Sequence, residues 1–82
     1  MKVQIEDNLY IEGDHQNIEV RKYKKNKKTG KDEHTTYGYF TTVEQAVEKV
    51  FRMKLAESQA TNLKELSEDI KSIRQWLKEK LS

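Results

Sequence analysis

The apolar positions of this chain change period near residue 41. Before it they recur at every second residue: Val3 and Ile5, Leu9 and Ile11, then Ile18 and Val20, each alternating with polar neighbours. That spacing turns one side of each segment toward a core and the other toward solvent, as in half-buried strands. Asp7-Asn8 separates the first two segments, and Gly13-Asp14-His15-Gln16 the next two. Both are turn sequences, and Asp-Asn tolerates the positive φ of a tight hairpin. The third segment carries Glu19, Arg21 and Tyr23 on its other face. The loop Lys25-Asn26-Lys27-Lys28-Thr29-Gly30 ends in a glycine suited to the left-handed position of a hairpin of roughly three to five residues. A fourth strand, from about Glu33 to Phe40, is rich in β-formers. Its alternation groups Tyr37 with Tyr39, and Thr36 with Gly38 and Phe40. Four short sequential strands predict an antiparallel meander over residues 1–40.

Beyond residue 41 the period becomes helical. Thr41-x-x-Glu44 and Thr42-x-x-Gln45 are both capping-box patterns, which predicts a helix over 42–57. Its apolar residues, from Val43 and Ala46 to Met53 and Leu55, cover an arc of about 200°. One neighbour cannot cover so wide an arc, so the helix is expected to lie on the sheet with a second element on its flank. Thr61 or Asn62, followed by Glu65, caps a second helix over 62–81. There Leu63, Leu66, Ile70, Ile73 and Leu77 form a stripe only about 80° wide, close to a coiled-coil seam. The second helix, ~30 Å long, exceeds the first, ~24 Å. A turn at 58–61 would then leave the C-terminal end unmatched, with Trp76, Leu77 and Leu81 exposed. On this basis Leu66, Ile70, Ile73, Trp76, Leu77 and Leu81 are a candidate homodimer interface, the alternative being Trp76 folded over the sheet edge.

Eighty-two residues, 34% of them hydrophobic, form a single domain (1–82) with a thin core. The fold class expected is α+β, a four-stranded meander followed by two helices. The chain has no cysteine, which removes disulfides, thiolate metal sites and thiol nucleophiles. No apolar run approaches membrane-span or signal-peptide length, so a soluble cytoplasmic protein is expected, with no membrane contact.

The net charge of +2 is unevenly spread. Residues 1–19 set Lys2 against five acids, whereas residues 20–32 set seven bases against Asp32 alone, and the remainder balances. The bases are Arg21, Lys22, Lys24, Lys25, Lys27, Lys28 and Lys31. With Tyr23 and Tyr37 they are the candidate binding residues. Such a hairpin can track phosphates, with Tyr23, Tyr37 or His34 stacking on bases. It can dock in an acidic surface of another protein, or it can simply guard a sheet edge. Tyr37 is otherwise expected as a cross-strand partner of Tyr23, with Tyr39 or Phe40 in the core.

Catalysis finds little support. Asp14 and His15 are adjacent in a turn and point apart, and no third partner is evident. His15 and His34 lack metal-ligand spacing, and the three glycines stand singly rather than in a phosphate loop. No catalytic residue, metal site or cofactor is expected.

The stretch Gly38-Tyr39-Phe40-Thr41-Thr42-Val43-Glu44-Gln45-Ala46 resembles the strand-to-helix junction of small uncharacterised proteins of phages and prophages of Gram-positive bacteria. In those, a short meander with a Lys-rich hairpin precedes a helix opening on Glu-Gln-Ala, and a charged second helix follows. The resemblance implies a phage accessory role in a bacterial cytoplasm. By analogy it implies binding and inhibition of a host nucleic-acid-handling protein, such as a defence nuclease. A protein-binding module is therefore the leading expectation, and a small nucleic-acid-binding protein using residues 21–31 is the alternative.

Overall fold

The computed structural model describes residues 1–81. The elements run β1 (Lys2–Glu6), β2 (Leu9–Gly13), β3 (Ile18–Lys25), β4 (Asp32–Phe40), α1 (Val43–Leu55) and α2 (Leu63–Leu81). All strands pair with their sequence neighbours, giving an antiparallel sheet of order β1-β2-β3-β4. The architecture is α+β, as the two hydrophobic periods predict. No helix among the described residues is long and apolar enough to cross a membrane.

The turns follow their chemistry. Asp7 takes φ 31° between β1 and β2, and Gly30 takes φ 70° at the end of the β3–β4 loop. In the second turn, the Asp14 carboxylate accepts the backbone N–H groups of Gln16 and Asn17 at 2.8 and 2.9 Å. The Asn17 and then the Gln16 hydrogen bond hold its acid below the usual carboxylate range.

One face of the sheet supplies Ile5, Leu9, Ile11 and Val20 to the core. α1 adds Ala46, Val50 and Phe51, and α2 adds Leu77. α1 lies against β3 and β4, and α2 lies against α1 and β1. The wide apolar arc of α1 is thus shared between the sheet and α2. Thr42 caps α1 by accepting the Gln45 N–H at 3.2 Å. Gln45 reaches back to the N–H of Thr41, one residue beyond the usual capping-box partner. Asn62 caps α2 through the Glu65 N–H at 2.9 Å, and Glu65 returns to Thr61.

The expected C-terminal overhang of α2 is reversed. Leu77 is only 5% exposed, while Leu63 is 83% exposed. The cause is the connection: Ser58 donates to the Asp69 carboxylate and accepts the Ala60 N–H. Asp69, not Leu63, is therefore level with the end of α1, and the first turns of α2 project past it. Ile70, Ile73 and Trp76 pack against the core within the same chain, Leu66 is half-buried, and Leu81 is 40% exposed. Trp76 sits beside β1, sharing a shallow depression with Glu6, Lys54 and Ile73. Trp76 is half-buried there, with the Lys54 ammonium over its ring.

The parity of β4 is also corrected. Val20 pairs with Gly38 and Arg21 with Thr36, leaving Tyr37 as the extra residue of a bulge. The bulge puts Thr36 and Gly38 on opposite faces. Gly38 has the Phe40 ring over its backbone: a Cβ there would lie 2.5 Å from Phe40 Cζ. Phe40 packs on the core, and Tyr39 is 68% exposed.

Candidate binding surface

β3 is longer than β2, and this difference creates the arm that carries the basic residues. The β2–β3 ladder ends at Leu9↔Lys22, whereas β3 and β4 stay paired through Tyr23↔His34, Lys24↔Glu33 and Lys25↔Asp32. The last anchor is a reciprocal clasp. Tyr23 N–H donates to the Asn8 carbonyl at 2.9 Å, and the Asn8 side-chain amide donates to the Tyr23 carbonyl at 2.6 Å. Beyond it a two-stranded ribbon, Lys24–Lys25 paired with Glu33 and Asp32, projects by about 7 Å before its turn, at ~3.3 Å per residue.

Asn26 organises the tip, residues 26–31. Its side-chain oxygen accepts the N–H groups of Lys28 and Thr29 at 2.8 and 3.3 Å. Its backbone pairs with Lys31 and Gly30, both at 2.8 Å. Its amide donates to Glu33 at 2.6 Å. An Asn opening a lysine-rich loop was a readable turn signal, but its part in holding the whole loop depends on the Glu33 register across the ribbon. Lys24, Lys25, Lys27 and Lys28 surround Asn26 and Glu33 in a shallow depression at this tip.

Lysines occupy both faces of the ribbon. Lys22 pairs with the buried Leu9, so it shares the helix-side face, and alternation puts Lys24 there too. Lys25 points to the opposite face, and Lys27, Lys28 and Lys31 belong to the turn. Glu33 and Asp32 stand opposite Lys24 and Lys25.

Arg21 and Tyr23 sit lower and belong to a fixed cluster on the open sheet face. Arg21 bonds Glu19 at 2.7 Å and lies 3.8 Å from Glu12. The Tyr23 hydroxyl donates to Glu12. Interaction with Tyr23 first, and pairing with Glu19 and Glu12 against the opposing effect of burial, push the Arg21 guanidinium further above its usual range. Its Nε is buried without an acceptor. Tyr23 meets Tyr10 edge-to-face at 5.3 Å and His34 at 5.7 Å. The Tyr23–Tyr37 pairing expected from strand alternation does not form, because the β3–β4 register sets Tyr23 opposite His34. The Lys2 ammonium covers both Tyr10 and Tyr23, at 5.0 and 4.7 Å from the ring centroids. No local pattern in the sequence pointed to Lys2, which arrives through the Lys2↔Glu12 pairing.

The candidate residues therefore separate into two groups. Lys24, Lys25, Lys27, Lys28 and Lys31 form the arm, while Arg21, Lys22 and Tyr23 form its root. Tyr37, 41% exposed, lies on edge strand β4 between them and Tyr39. His15 is exposed in the second turn, away from the ribbon. Among the described residues no group of three or more metal-ligating side chains converges. Comparison of the chain with family models, curated proteins and solved structures found no match.

Proposed function

We propose that this chain is a non-enzymatic binding module that works by presenting the β3–β4 ribbon to a polyanion, with nucleic acid as the partner. The observation that carries this reading is the position of the charge. Five lysines beyond the Tyr23 clasp, Lys24, Lys25, Lys27, Lys28 and Lys31, stand against Asp32 and Glu33 on an arm that supplies nothing to the hydrophobic core. Lysines on a stable ribbon contact phosphates and release counterions, and the binding they support weakens with salt.

A second reading is supported by Tyr37 and Tyr39, both exposed on edge strand β4. Aromatic side chains beside a charged rim are the usual anchors of protein interfaces. In this reading the module docks in an acidic surface of a host protein and inhibits it. That is the phage accessory role implied by the resemblance of residues 38–46.

Affinity capture from a bacterial lysate, with and without nuclease treatment, separates the two. The nucleic-acid reading expects nucleic acid to co-purify with the wild type, and to be lost when Lys24, Lys25, Lys27 and Lys28 are changed to Glu. A protein captured equally after nuclease digestion, through Tyr37 and Tyr39, supports the second reading. Nucleic-acid capture that survives the charge reversal overturns the first.

A further inference from the structure

The ribbon's shape narrows the polyanion it can engage. We infer that the β3–β4 ribbon is built to enter the major groove of B-form duplex DNA, its two lysine-bearing faces turned toward the two phosphate backbones that wall the groove. The inference rests on the reading of the ribbon as a nucleic-acid contact.

Three features carry it. The first is the distribution of charge around the arm. A cationic strand that lies on a single phosphate track needs bases on one face only. Here Lys24 occupies the helix-side face, with Lys22 below it at the root, Lys25 the other face, and Lys27, Lys28 and Lys31 the tip. Charge on both faces and the tip matches a cleft that is anionic on both sides.

The second is size. The paired ribbon clears the Asn8–Tyr23 clasp by about 7 Å before its turn, at ~3.3 Å per residue. The major groove is about 8.5 Å deep and about 12 Å wide, and it admits a two-stranded ribbon. A-form RNA presents a major groove too deep and narrow for such an element.

The third is preorganisation. Asn26 fixes the loop by hydrogen bonds to Lys28, Thr29, Gly30, Lys31 and Glu33. The Asn8–Tyr23 clasp fixes the root. An arm already in its working shape loses less conformational entropy on binding than a flexible basic tail would. The same rigidity suits a groove of fixed width better than a flexible single strand.

The test is fluorescence anisotropy titration of the full chain against four probes of similar length. These are a mixed-sequence DNA duplex, the matching RNA duplex, a single DNA strand and polyglutamate. The DNA duplex is expected to bind roughly tenfold or more tighter than the RNA duplex or the single strand, because only its groove admits the ribbon. The plot of log affinity against log salt should have a slope of about −4 to −5, for the five or so phosphates that the arm's lysines can reach. Methyl green, which occupies the major groove, should displace the protein, while a minor-groove ligand should not. K24E/K25E/K27E/K28E should abolish binding with its circular dichroism unchanged, since all four side chains are exposed.

Equal affinity for all three nucleic acids, still dependent on the four lysines, overturns the groove inference but leaves the ribbon as a general nucleic-acid contact. Preference for polyglutamate overturns it in favour of an acidic protein partner. Binding indifferent to the four lysines, or absent for every probe, overturns both the inference and the reading beneath it.

Discussion

The Lys54 ammonium lies 5.1 Å from the centroid of the Trp76 ring and ties α1 to α2. The same ammonium pairs with Glu6 on β1 and with Glu57, at 3.3 Å, just after α1. One side chain thus joins three elements at the edge of a thin core. Burial opposes its charge, but the hydrogen bonds to Glu6 and Glu57 outweigh that cost, and Lys54 titrates above the ordinary lysine value. Lys54→Met is expected to lower stability by about 1–2 kcal/mol in urea unfolding. A double-mutant cycle with Trp76→Ala should show a coupling of at least about 0.5 kcal/mol. Additive effects would mean that the ring and the ammonium are mere neighbours.

The pH dependence follows from the same raised value. A lysine whose folded pKa exceeds its unfolded one contributes fully below the unfolded value, about 10.4, and loses that contribution as pH rises through the folded one. The stability difference between wild type and Lys54→Met should therefore be constant from neutral pH to about 9 and shrink above about 10.4. A difference that grows in alkali would contradict the ion-pair origin.

Leu77 and Leu63 lie on one stripe of α2 but at opposite ends of the burial scale. Leu77→Ala should cost about 2–5 kcal/mol by opening a cavity against Phe51 and Val47. Leu63→Ala should change stability by no more than about 0.5 kcal/mol. Leu77→Lys should unfold the monomer, and sedimentation equilibrium alongside circular dichroism distinguishes this from separation of a folded dimer.

Gly38 has no room for a side chain while Phe40 covers it. Gly38→Ala should destabilise by about 1–3 kcal/mol as the ring is forced aside. Adding Phe40→Leu should recover part of that loss, leaving the double variant more stable than additivity predicts. A full additive loss would locate the strain in the backbone instead.

Asn26→Ala removes the hydrogen bonds that hold Lys28 and Thr29 in place. Because the tip lies outside the core, thermal stability should be unchanged. Affinity for a DNA duplex should fall roughly fivefold, about 1 kcal/mol, through lost preorganisation. Unchanged affinity would show that the loop's order has no part in binding.

The meander, both caps and the two helices were legible because each rests on local chemistry. Val3/Ile5 and Ile18/Val20 alternate, Thr42 precedes Gln45 by three residues, and Asn62 precedes Glu65 by three. The errors arose where a non-local choice intervened. A single bulge at Tyr37 inverted the faces of β4, and a bulge is invisible to a period-two count. The path of the 56–62 connection, fixed by Ser58 and Asp69, decided which end of α2 overhangs, and helix lengths alone could not reveal it. At the candidate surface, the lysine cluster was plain. Which of its members are locked at the root, as Arg21 is by Glu19 and Glu12, required the β2–β3 register.

The Asn8–Tyr23 clasp has a consequence for how this protein can change over generations. Everything distal to it can vary in length and composition without disturbing the packing beneath, since folding is completed by residues on the other side of the boundary. The tip is in effect an interchangeable cartridge on a constant mount. A loop of different length or charge set beyond Tyr23 is expected to leave the turns, the caps and the glycine beneath the Phe40 ring as they are.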